Sequence, residues 1–311
     1  MITKETIPQL QNIDFNSDHL VHVIGEDGQL VLLHDAETIR TEDRTIEEAR
    51  FVSSYAVIDE SPEDVREYVR DFDQYENLLK SVRSSTTTRS DEESPRAEFV
   101  IGLDTPVVNP SFRYELEYES EDGTLFFRSL EGDFDLILGC WEFISLPQNR
   151  TLLVYTSWFE FGSLSWTLQT IFWAQPDLET TIPVTQSAIL LRALKNGLEN
   201  RDSSRPSDPV DRLPEDPETP LFTDQSEDLD SLVPLAERGT VMKVHPQQWI
   251  RDEGSPLEVT YVSGIGLMDR SFEEAQAFTT DFERYADFIQ QVGRVETREE
   301  ENGEIIGTWM L

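Results

Sequence analysis

Residues 52–82 read VSSYAVIDESPEDVREYVRDFDQYENLLKSV. This segment is the most informative part of the sequence, because it predicts a strand followed by a capped helix and a similar segment returns later in the chain. Its opening is rich in β-branched and aromatic residues, which is typical of a strand. Ser61 can cap a helix whose first turn contains Pro62, so a helix is predicted to begin there. A second short helix is predicted from Tyr75 to Val82.

The same pattern returns in VSGIGLMDRSFEEAQAFTTDFERYADFIQQV, residues 262–292, at a constant offset and without a gap. Asp71 and Asp281 are one of several identical pairs. Upstream, GQLVLLHD from Gly28 resembles GTVMKVHP from Gly239, so the repeating unit includes a short preamble. Self-similarity at a fixed period indicates a duplicated structural unit. The sequence therefore predicts two copies of one domain.

The second copy is incomplete in the sequence, because Leu311 corresponds to Ile101 of the first copy. Nothing corresponds to residues 102–201. Either the chain is a piece of a longer protein, which we favour, or another chain completes the partial copy. Between the copies, residues 202–231 are rich in Pro, Asp, Glu and Ser, and this composition predicts a flexible acidic linker.

Four segments are expected from this organisation. In the first preamble, LVHVIGEDGQLVLL predicts a β-hairpin with Asp27-Gly28 as its turn. The expected segments are the preamble with this hairpin (1–44), a complete domain (45–201), the linker (202–231), and a second preamble with the truncated start of a second domain (232–311).

The complete copy continues with strands and ends in a long helix. Short turns separate the predicted strands, which indicates an antiparallel meander; these strands are 83–90, 97–103, 112–120, 124–130, 140–146 and 151–161. Apolar residues then recur at helical spacing from Val184 to Leu198. The order predicts an α+β fold in which an antiparallel sheet curls around a long C-terminal helix.

At this point the chain resembles the SRPBCC superfamily, also called START-like or helix-grip proteins, and within it the polyketide cyclase and coenzyme Q-binding protein branch. The residues that carry the resemblance are Asp59–Val65 with Asp71–Tyr75, Gly139–Phe143 with Leu146-Pro147 and Arg150–Tyr155, and Ile189–Glu199. It covers residues 45–201 and again 255–311. The resemblance implies a fold that encloses lipids, quinones, polyketides or other apolar ligands. Some relatives are enzymes, and many only bind.

The charge of the chain excludes some partners. There are 62 acidic against 25 basic residues, a formal net charge of −37. Phosphate binding needs a basic surface, so nucleic acid is not expected as a partner. Anionic membranes would repel the chain, so at most a transient membrane contact is expected. The scarcity of Lys suggests either adaptation to high salt or simply an acidic, soluble protein.

Other sequence features set the expected compartment. No apolar run approaches the ~18 residues that span a bilayer, and the N-terminus does not resemble a secretory signal. We therefore expect a cytoplasmic protein. Cys140 is the only cysteine, and its expected role is that of a small buried residue in a strand.

Few side chains suit acid–base or metal chemistry. The histidines His19, His22, His34 and His245 all lie outside residues 51–201. His19 and His22 fall in a predicted strand, which would place them on opposite faces and disfavours a metal site. No phosphate-binding loop is present, and neither a metal nor a cofactor is predicted.

Candidate catalytic groups must therefore be carboxylates or phenols. Glu142, Tyr155 and Tyr114 are the candidates, since a desolvated Glu or Tyr in a cavity could act as an acid or orient a ligand. The alternative for Glu142 is a solvated sheet face. For the two tyrosines, the alternative is core packing with a satisfied hydroxyl group.

Large apolar side chains of the strands and the last helix are the predicted ligand contacts. They are Trp141, Phe143, Tyr155, Trp158, Phe126, Trp166, Phe172, Trp173, Leu191 and Leu194. Trp166, Phe172 and Trp173 belong to residues 163–177. This segment is expected to form either an apolar lip at the cavity mouth or a short helix against the sheet.

Three functions remain open from the sequence. The first is the binding or carrying of a hydrophobic small molecule such as a lipid, quinone, isoprenoid or polyketide. The second is an enzyme of the cyclase or aromatase kind that uses Glu and Tyr as acid–base groups. The third is a protein-interaction module whose core is filled by its own side chains.

Overall fold

The computed structural model describes residues 6–13, 15–40, 44–90, 94–102, 111–161, 178–199, 213–215, 220–223, 226–281, 284, 287, 294–299 and 305–310. The chain divides into two compact units, residues 1–266 and 267–311. Among the described residues, no helix combines the length and the apolar composition that crossing a membrane demands.

The described helices are α1 (Ser17–Ile24), α2 (Pro62–Arg70), α3 (Tyr75–Leu78), α4 (Leu178–Leu198), α5 (Ser226–Ala236) and α6 (Phe272–Thr280). The described strands are β1 (Gln29–His34), β2 (Glu37–Arg40), β3 (Thr45–Ala49), β4 (Val52–Ile58), β5 (Val82–Arg89), β6 (Arg96–Gly102), β7 (Ser111–Glu121), β8 (Thr124–Gly132), β9 (Leu136–Leu146), β10 (Arg150–Glu160), β11 (Gly239–Val244), β12 (Gln248–Asp252), β13 (Ser255–Val259), β14 (Val262–Ile265), β15 (Arg294–Glu299) and β16 (Ile305–Met310).

Within the described residues of the first unit, ten strands form one antiparallel sheet in the order β14-β11-β1-β4-β10-β9-β8-β7-β6-β5. From β5 to β10, each strand pairs with its neighbour in sequence, and β10 closes on β4. The long helix α4 contacts β4, β10 and β1. The predicted α+β, helix-grip arrangement of a sheet curled around a C-terminal helix is confirmed.

The start of α2 follows from its sequence. Ser61 lies just before the helix and its hydroxyl accepts the backbone N–H of Asp64 at 3.2 Å, while Pro62 is the first helical residue. Val65 and Val69 are fully buried on the face toward the sheet. Capping and burial together stabilise a helix of only nine residues. The predicted helix start is confirmed.

The two faces of the sheet serve different parts of the chain. On the inner face, α2, α3 and α4 cover a core that includes Ala56, Ile58 and Leu153. On the outer face, α1 and α5 cover the alternate residues, including Tyr55 and Val154. Because side chains alternate along a strand, neighbouring residues lie on opposite faces of the sheet and belong to different cores.

The predicted hairpin in the first preamble is wrong, because its first half is the helix α1. The side chain of Asn16 caps this helix by accepting the backbone N–H groups of Asp18 and His19. Leu20, Val23 and Ile24 are buried at helical spacing against the core that also contains α5. Burial of this stripe outweighs the strand preference of its β-branched residues.

The predicted acidic linker ends earlier than expected. Helix α5 begins at Ser226, inside the segment 202–231. Residues 200–212 lie outside the described part of the chain.

The histidines of α1 meet a buried carboxylate of α5. His19 and His22 share one face of the helix, and their Nδ1 atoms lie 2.8 Å from the two carboxylate oxygens of Asp228. The side chain of Asp228 is fully buried and also accepts a hydrogen bond from Thr223 at 2.7 Å. The expectation that the two histidines lie on opposite faces is therefore wrong, since they belong to a helix.

The preambles of the two copies pair with each other. Strand β1 runs antiparallel to β11, and Val31 lies directly opposite Met242, its counterpart in the second preamble. Leu30 faces Tyr55 of β4, just as Val241 faces Ile265 of β14. A local twofold axis therefore passes between β1 and β11, and the sheet continues from one copy into the other.

A buried histidine occupies equivalent places in both copies. The Nε2 atom of His34 lies 2.8 Å from the hydroxyl of Ser53, and that of His245 lies 2.9 Å from the hydroxyl of Ser263. Burial, with a smaller contribution from the charge of Arg238, lowers the pKa of His34 from 6.5 to about 4. Burial also lowers the pKa of His245. Each is thus a neutral residue that joins the end of a preamble strand to its neighbour.

The C-terminal half of α4 is anchored to β4 by a buried lysine. Leu191 and Leu194 are fully buried on the sheet side of the helix. The Nζ atom of Lys195 donates to the backbone carbonyl of Val57 and, at 3.1 Å, to the carboxylate of Glu199. Glu199 in turn accepts the backbone N–H of Asp59 at 3.0 Å. The helix is therefore fixed in register on the first strand of the domain.

The second unit is described by itself. Helix α6 begins with a capping box formed by Ser271 and Glu274, and β15 pairs antiparallel with β16. These elements follow in the same order as α2, β5 and β6 of the first copy, as the sequence repeat predicts.

We predict that Lys195→Met lowers the free energy of unfolding by about 3 to 5 kcal/mol, because Glu199 and the carbonyl of Val57 lose their shared donor in a buried place. Urea unfolding measures this loss. Lys243→Met is the matched control, since Lys243 donates to the carbonyl of Phe222 at 2.8 Å in a half-buried place, and about 1 kcal/mol is expected. Equal losses for both variants would contradict the anchoring role of Lys195.

We also predict that His34 makes stability depend on pH. Below about pH 6.5, His34 is protonated in the unfolded chain, whereas in the folded protein it stays neutral down to about pH 4. Stability is therefore lost as the pH falls through this window, by about 3 kcal/mol at most. Urea unfolding of wild type and His34→Gln from pH 7.5 to 4 isolates the contribution of His34 to the free energy of unfolding. A constant difference between the two proteins across that range would contradict the prediction.

Candidate functional site: an apolar cavity between sheet and helix

An aromatic cavity lies between the inner face of the sheet and α4. It has a volume of about 100 Å³. The lining side chains come from α3 and the residues after it, from the strands and their turns, and from the first half of α4. They are Tyr75, Leu79, Ser81, Val82, Phe99, Ile101, Tyr114, Leu116, Tyr118, Phe127, Phe134, Trp141, Tyr155, Ser157, Phe159, Phe161, Ile182, Pro183, Gln186, Ser187 and Leu190.

Tyr155 lies at the centre of the aromatic wall. Its ring centroid is 4.4 Å from that of Trp141 and 5.7 Å from that of Phe127, with which it stacks at 13°. Phe127 reaches this place because its partner across β8 and β9 is Gly139. A Cβ on Gly139 would come within 2.2 Å of the Phe127 ring. The glycine therefore makes room for a cavity-lining ring.

The polar groups of the cavity are uncharged. Burial raises the pKa of Tyr155 to about 12, and burial also raises the pKa of Tyr114 above its usual range. Both phenols are therefore protonated at neutral pH and can donate hydrogen bonds. Among the described lining residues there is no Asp, Glu, His, Lys or Arg. The arrangement can orient a polar group on an apolar guest.

Of the predicted catalytic candidates, the structure brings Tyr114 and Tyr155 together at the cavity. Glu142 lies on the opposite face of β9. Its carboxylate accepts the backbone N–H of Leu10 at 2.8 Å and that of Gln11 at 3.0 Å. Burial raises the pKa of Glu142, and these two hydrogen bonds oppose the shift. Glu142 thus anchors the N-terminal segment, because its strand parity directs it away from the cavity.

Two predicted ligand contacts also lie on the outer face. Phe126 and Trp158 belong to a separate core cluster with Phe51 and Cys140, next to the hairpin β2–β3. The rings of Phe51 and Trp158 are 6.2 Å apart. Neither residue lines the cavity. Cys140 is fully buried there, as expected for a small core residue.

The other predicted contacts divide into three groups. Trp141 lines the cavity together with Tyr155. Phe143 lies against the inner-face core, where the guanidinium of Arg66 sits 4.9 Å from its ring centroid, and Leu191 and Leu194 are core residues below the cavity. Trp166, Phe172 and Trp173 lie outside the described residues, as does the proposed lip of residues 163–177.

The sequence analysis missed most of the lining. Phe127 is adjacent to the chosen Phe126, and only the pairing of Leu125 with Trp141 shows which of the two faces inward. Phe99, Tyr118 and Phe134 come from strands or turns, and the sequence does not reveal which face of the sheet their side chains lie on. Ile182 and Leu190 belong to a helix whose two sides line different spaces on the inner face of the sheet.

Comparisons with known proteins give similar folds at low sequence identity. No family model and no curated protein matches the chain. One similar solved structure is an aromatase/cyclase from Streptomyces sp. R1128, with 18% identity over 50% of this chain and 96% of that chain and a TM-score of 0.40. Another is a STAR-related lipid transfer protein from Xanthomonas axonopodis, with 13% identity over 53% of this chain and 99% of that chain and a TM-score of 0.38.

A third similar structure spans more of the chain. It is a di-domain aromatase/cyclase from the steffimycin biosynthetic pathway, with 8% identity over 83% of this chain and 68% of that chain, at a TM-score of 0.35. The likeness to these structures is too low to carry an inference about activity. The fold assigned above therefore rests on the strand order and on the position of α4.

We predict that Glu142→Gln lowers the free energy of unfolding by about 1 to 3 kcal/mol, because the amide NH₂ would face one of two backbone N–H donors. Urea unfolding measures the loss. Toluene serves as a small apolar probe of the cavity, and its affinity in an NMR titration should stay within about twofold of wild type, because Glu142 does not line the cavity. A tenfold loss of toluene affinity without a loss of stability would contradict the assignment of Glu142 to the outer face.

Proposed function

We propose that the domain of residues 45–201 binds an apolar small molecule in the cavity between the sheet and α4. The observation that carries the proposal is the cavity wall, in which ten aromatic side chains of the described residues surround a few neutral hydroxyl groups. Ligand sites in proteins have this composition, an apolar surface with a small number of orienting polar groups. Tyr114 and Tyr155 are the proposed orienting groups, and Trp141 is a proposed contact.

The cavity volume limits the guest that enters without a movement of the protein. About 100 Å³ is less than the ~300 Å³ at the lower end of ligand pockets and is of the order that accepts a single ring. A lipid, quinone or polyketide therefore requires the lining to open. Ile182 and Leu190 on α4 are the proposed moving parts, because both are only half-buried.

Binding is favoured over acid–base catalysis by the chemistry of the lining. The described cavity residues offer protonated phenols and aliphatic hydroxyls, and no group among them is a base at neutral pH. A cyclase or aromatase would have to rely on positioning and hydrogen-bond donation alone. The acidic surface also supports a small molecule over nucleic acid or an anionic membrane as the partner.

A second candidate function is a protein-interaction module with a filled core. The small cavity volume favours this alternative, since aromatic side chains occupy most of the space under α4. Native mass spectrometry of the purified chain distinguishes the two. A co-purified apolar molecule supports the binding proposal, whereas a bare chain that also fails to bind toluene contradicts it and supports the filled core.

We predict that Leu190→Trp weakens toluene binding at least about tenfold, because the indole ring would occupy the cavity. The neighbouring Ile189→Trp is the matched control. Ile189 lies on the other side of α4 and is 46% exposed. NMR titration of both variants with toluene measures the effect, and thermal unfolding verifies that each is folded.

If Leu190→Trp fails to fold, Ile182→Phe is tested in its place, because the larger side chain fills the cavity from the start of α4. Equal toluene affinity in wild type and in the folded cavity-filling variant would overturn the proposal.

A further inference from the structure

A second concave space lies on the inner face of the sheet, on the side of α4 that faces away from the cavity. This lateral groove has a volume of about 230 Å³ and is walled by β1, β11, β14 and α4. Adjacent helix residues separate the two spaces, since Leu190 lines the cavity and Ile189 lines the lateral groove. The groove lies over the local twofold axis, where Val31 and Met242 form its floor.

The groove contains a buried amide with no hydrogen bond. Gln29 is 2% exposed, and neither the nitrogen nor the oxygen of its side chain has a partner among the described residues. The Nη2 atom of Arg192, on the groove side of α4, is also buried without a hydrogen bond there. Buried polar groups are nearly always paired in folded proteins, because leaving them unpaired is unfavourable.

The unpaired atoms define the ligand that would satisfy them. They are two donors, Arg192 Nη2 and Gln29 Nε2, and one acceptor, Gln29 Oε1. A carboxylate accepts from both donors, and a hydroxyl group next to it donates to the amide oxygen. The remaining walls are aliphatic, among them Val31, Ala188 and Met242. We propose that the lateral groove binds a 2-hydroxycarboxylate that carries a short apolar chain.

One carboxylate of the protein already acts on the guanidinium of the groove. Arg192 interacts electrostatically with Glu258 of β13. A bound carboxylate would compete with Glu258 for the guanidinium, so Glu258→Gln should strengthen binding. This site is independent of the proposed function, because the helix α4 lies between the two spaces.

The proposal is tested by titrating the full chain with 2-hydroxyhexanoate, hexanoate and 1-hexanol in a calorimeter. We expect 2-hydroxyhexanoate to bind about tenfold more tightly than hexanoate, which lacks the donor for Gln29, and 1-hexanol to bind more weakly still. Arg192→Leu and Ile189→Trp should each weaken 2-hydroxyhexanoate binding at least about tenfold. Leu190→Trp should leave it unchanged, even where it abolishes toluene binding.

Gln29→Leu distinguishes a binding role from a structural role. If the amide serves a ligand, its replacement abolishes 2-hydroxyhexanoate binding and raises the thermal midpoint of the free protein, because an unpaired polar group leaves the interior. A lowered midpoint would show that the amide is satisfied within the fold, by an ordered water for example, and would overturn the proposal. So would the absence of saturable binding, or equal binding by wild type and Ile189→Trp.

Discussion

The contact between α4 and β4 is the constraint on which the domain depends. Leu191 and Leu194 bury their side chains against the inner face, and Lys195 donates to the carbonyl of Val57 on β4. About two turns before Lys195 in α4, Ser187 accepts a hydrogen bond at 2.7 Å from the hydroxyl of Ser54 on β4. These contacts place the helix over β1, β4 and β10, in the middle of the ten-stranded sheet. The aromatic cavity lies on one side of the helix and the lateral groove on the other.

Strand parity assigns each side chain of the sheet to one of two roles. Along β10, Leu153 and Tyr155 lie on the inner face, whereas Val154 and Thr156 lie on the outer face. The copies are joined on the outer face by the packing of α1 on α5, and within the sheet by the pairing of β1 with β11. Because the inner face continues across this junction, the same helix borders both the aromatic cavity and the lateral groove.

Much of the fold is predictable from local signals in the sequence. Ser61 and Pro62 fix the start of α2, and the alternating segments from Val82 to Glu160 become the meander within a few residues of their predicted bounds. The preamble was not predictable in this way. Its β-branched residues favour a strand, but the cap at Asn16 and burial against α5 make it a helix.

The site was predictable only in part, because the face of the sheet on which a side chain lies depends on pairing with strands distant in sequence. The sequence places Trp141 and Tyr155 on adjacent strands, and their register brings the rings together. It does not distinguish Phe126 from Phe127, and it offers no sign that Glu142 holds the N-terminal segment. That contact joins Glu142 to Leu10, which lies more than a hundred residues away.

The proposed binding of an apolar guest between sheet and helix can be tested directly by NMR contacts. Toluene is bound to protein carrying ¹³C-labelled methyl groups, and nuclear Overhauser effects from its ring are assigned. We expect contacts with methyl groups of Ile101, Ile182 and Leu190, which border the cavity. Contacts confined to outer-face methyl groups such as Leu32 or Ile39, or no contacts at saturating toluene, would contradict the enclosure.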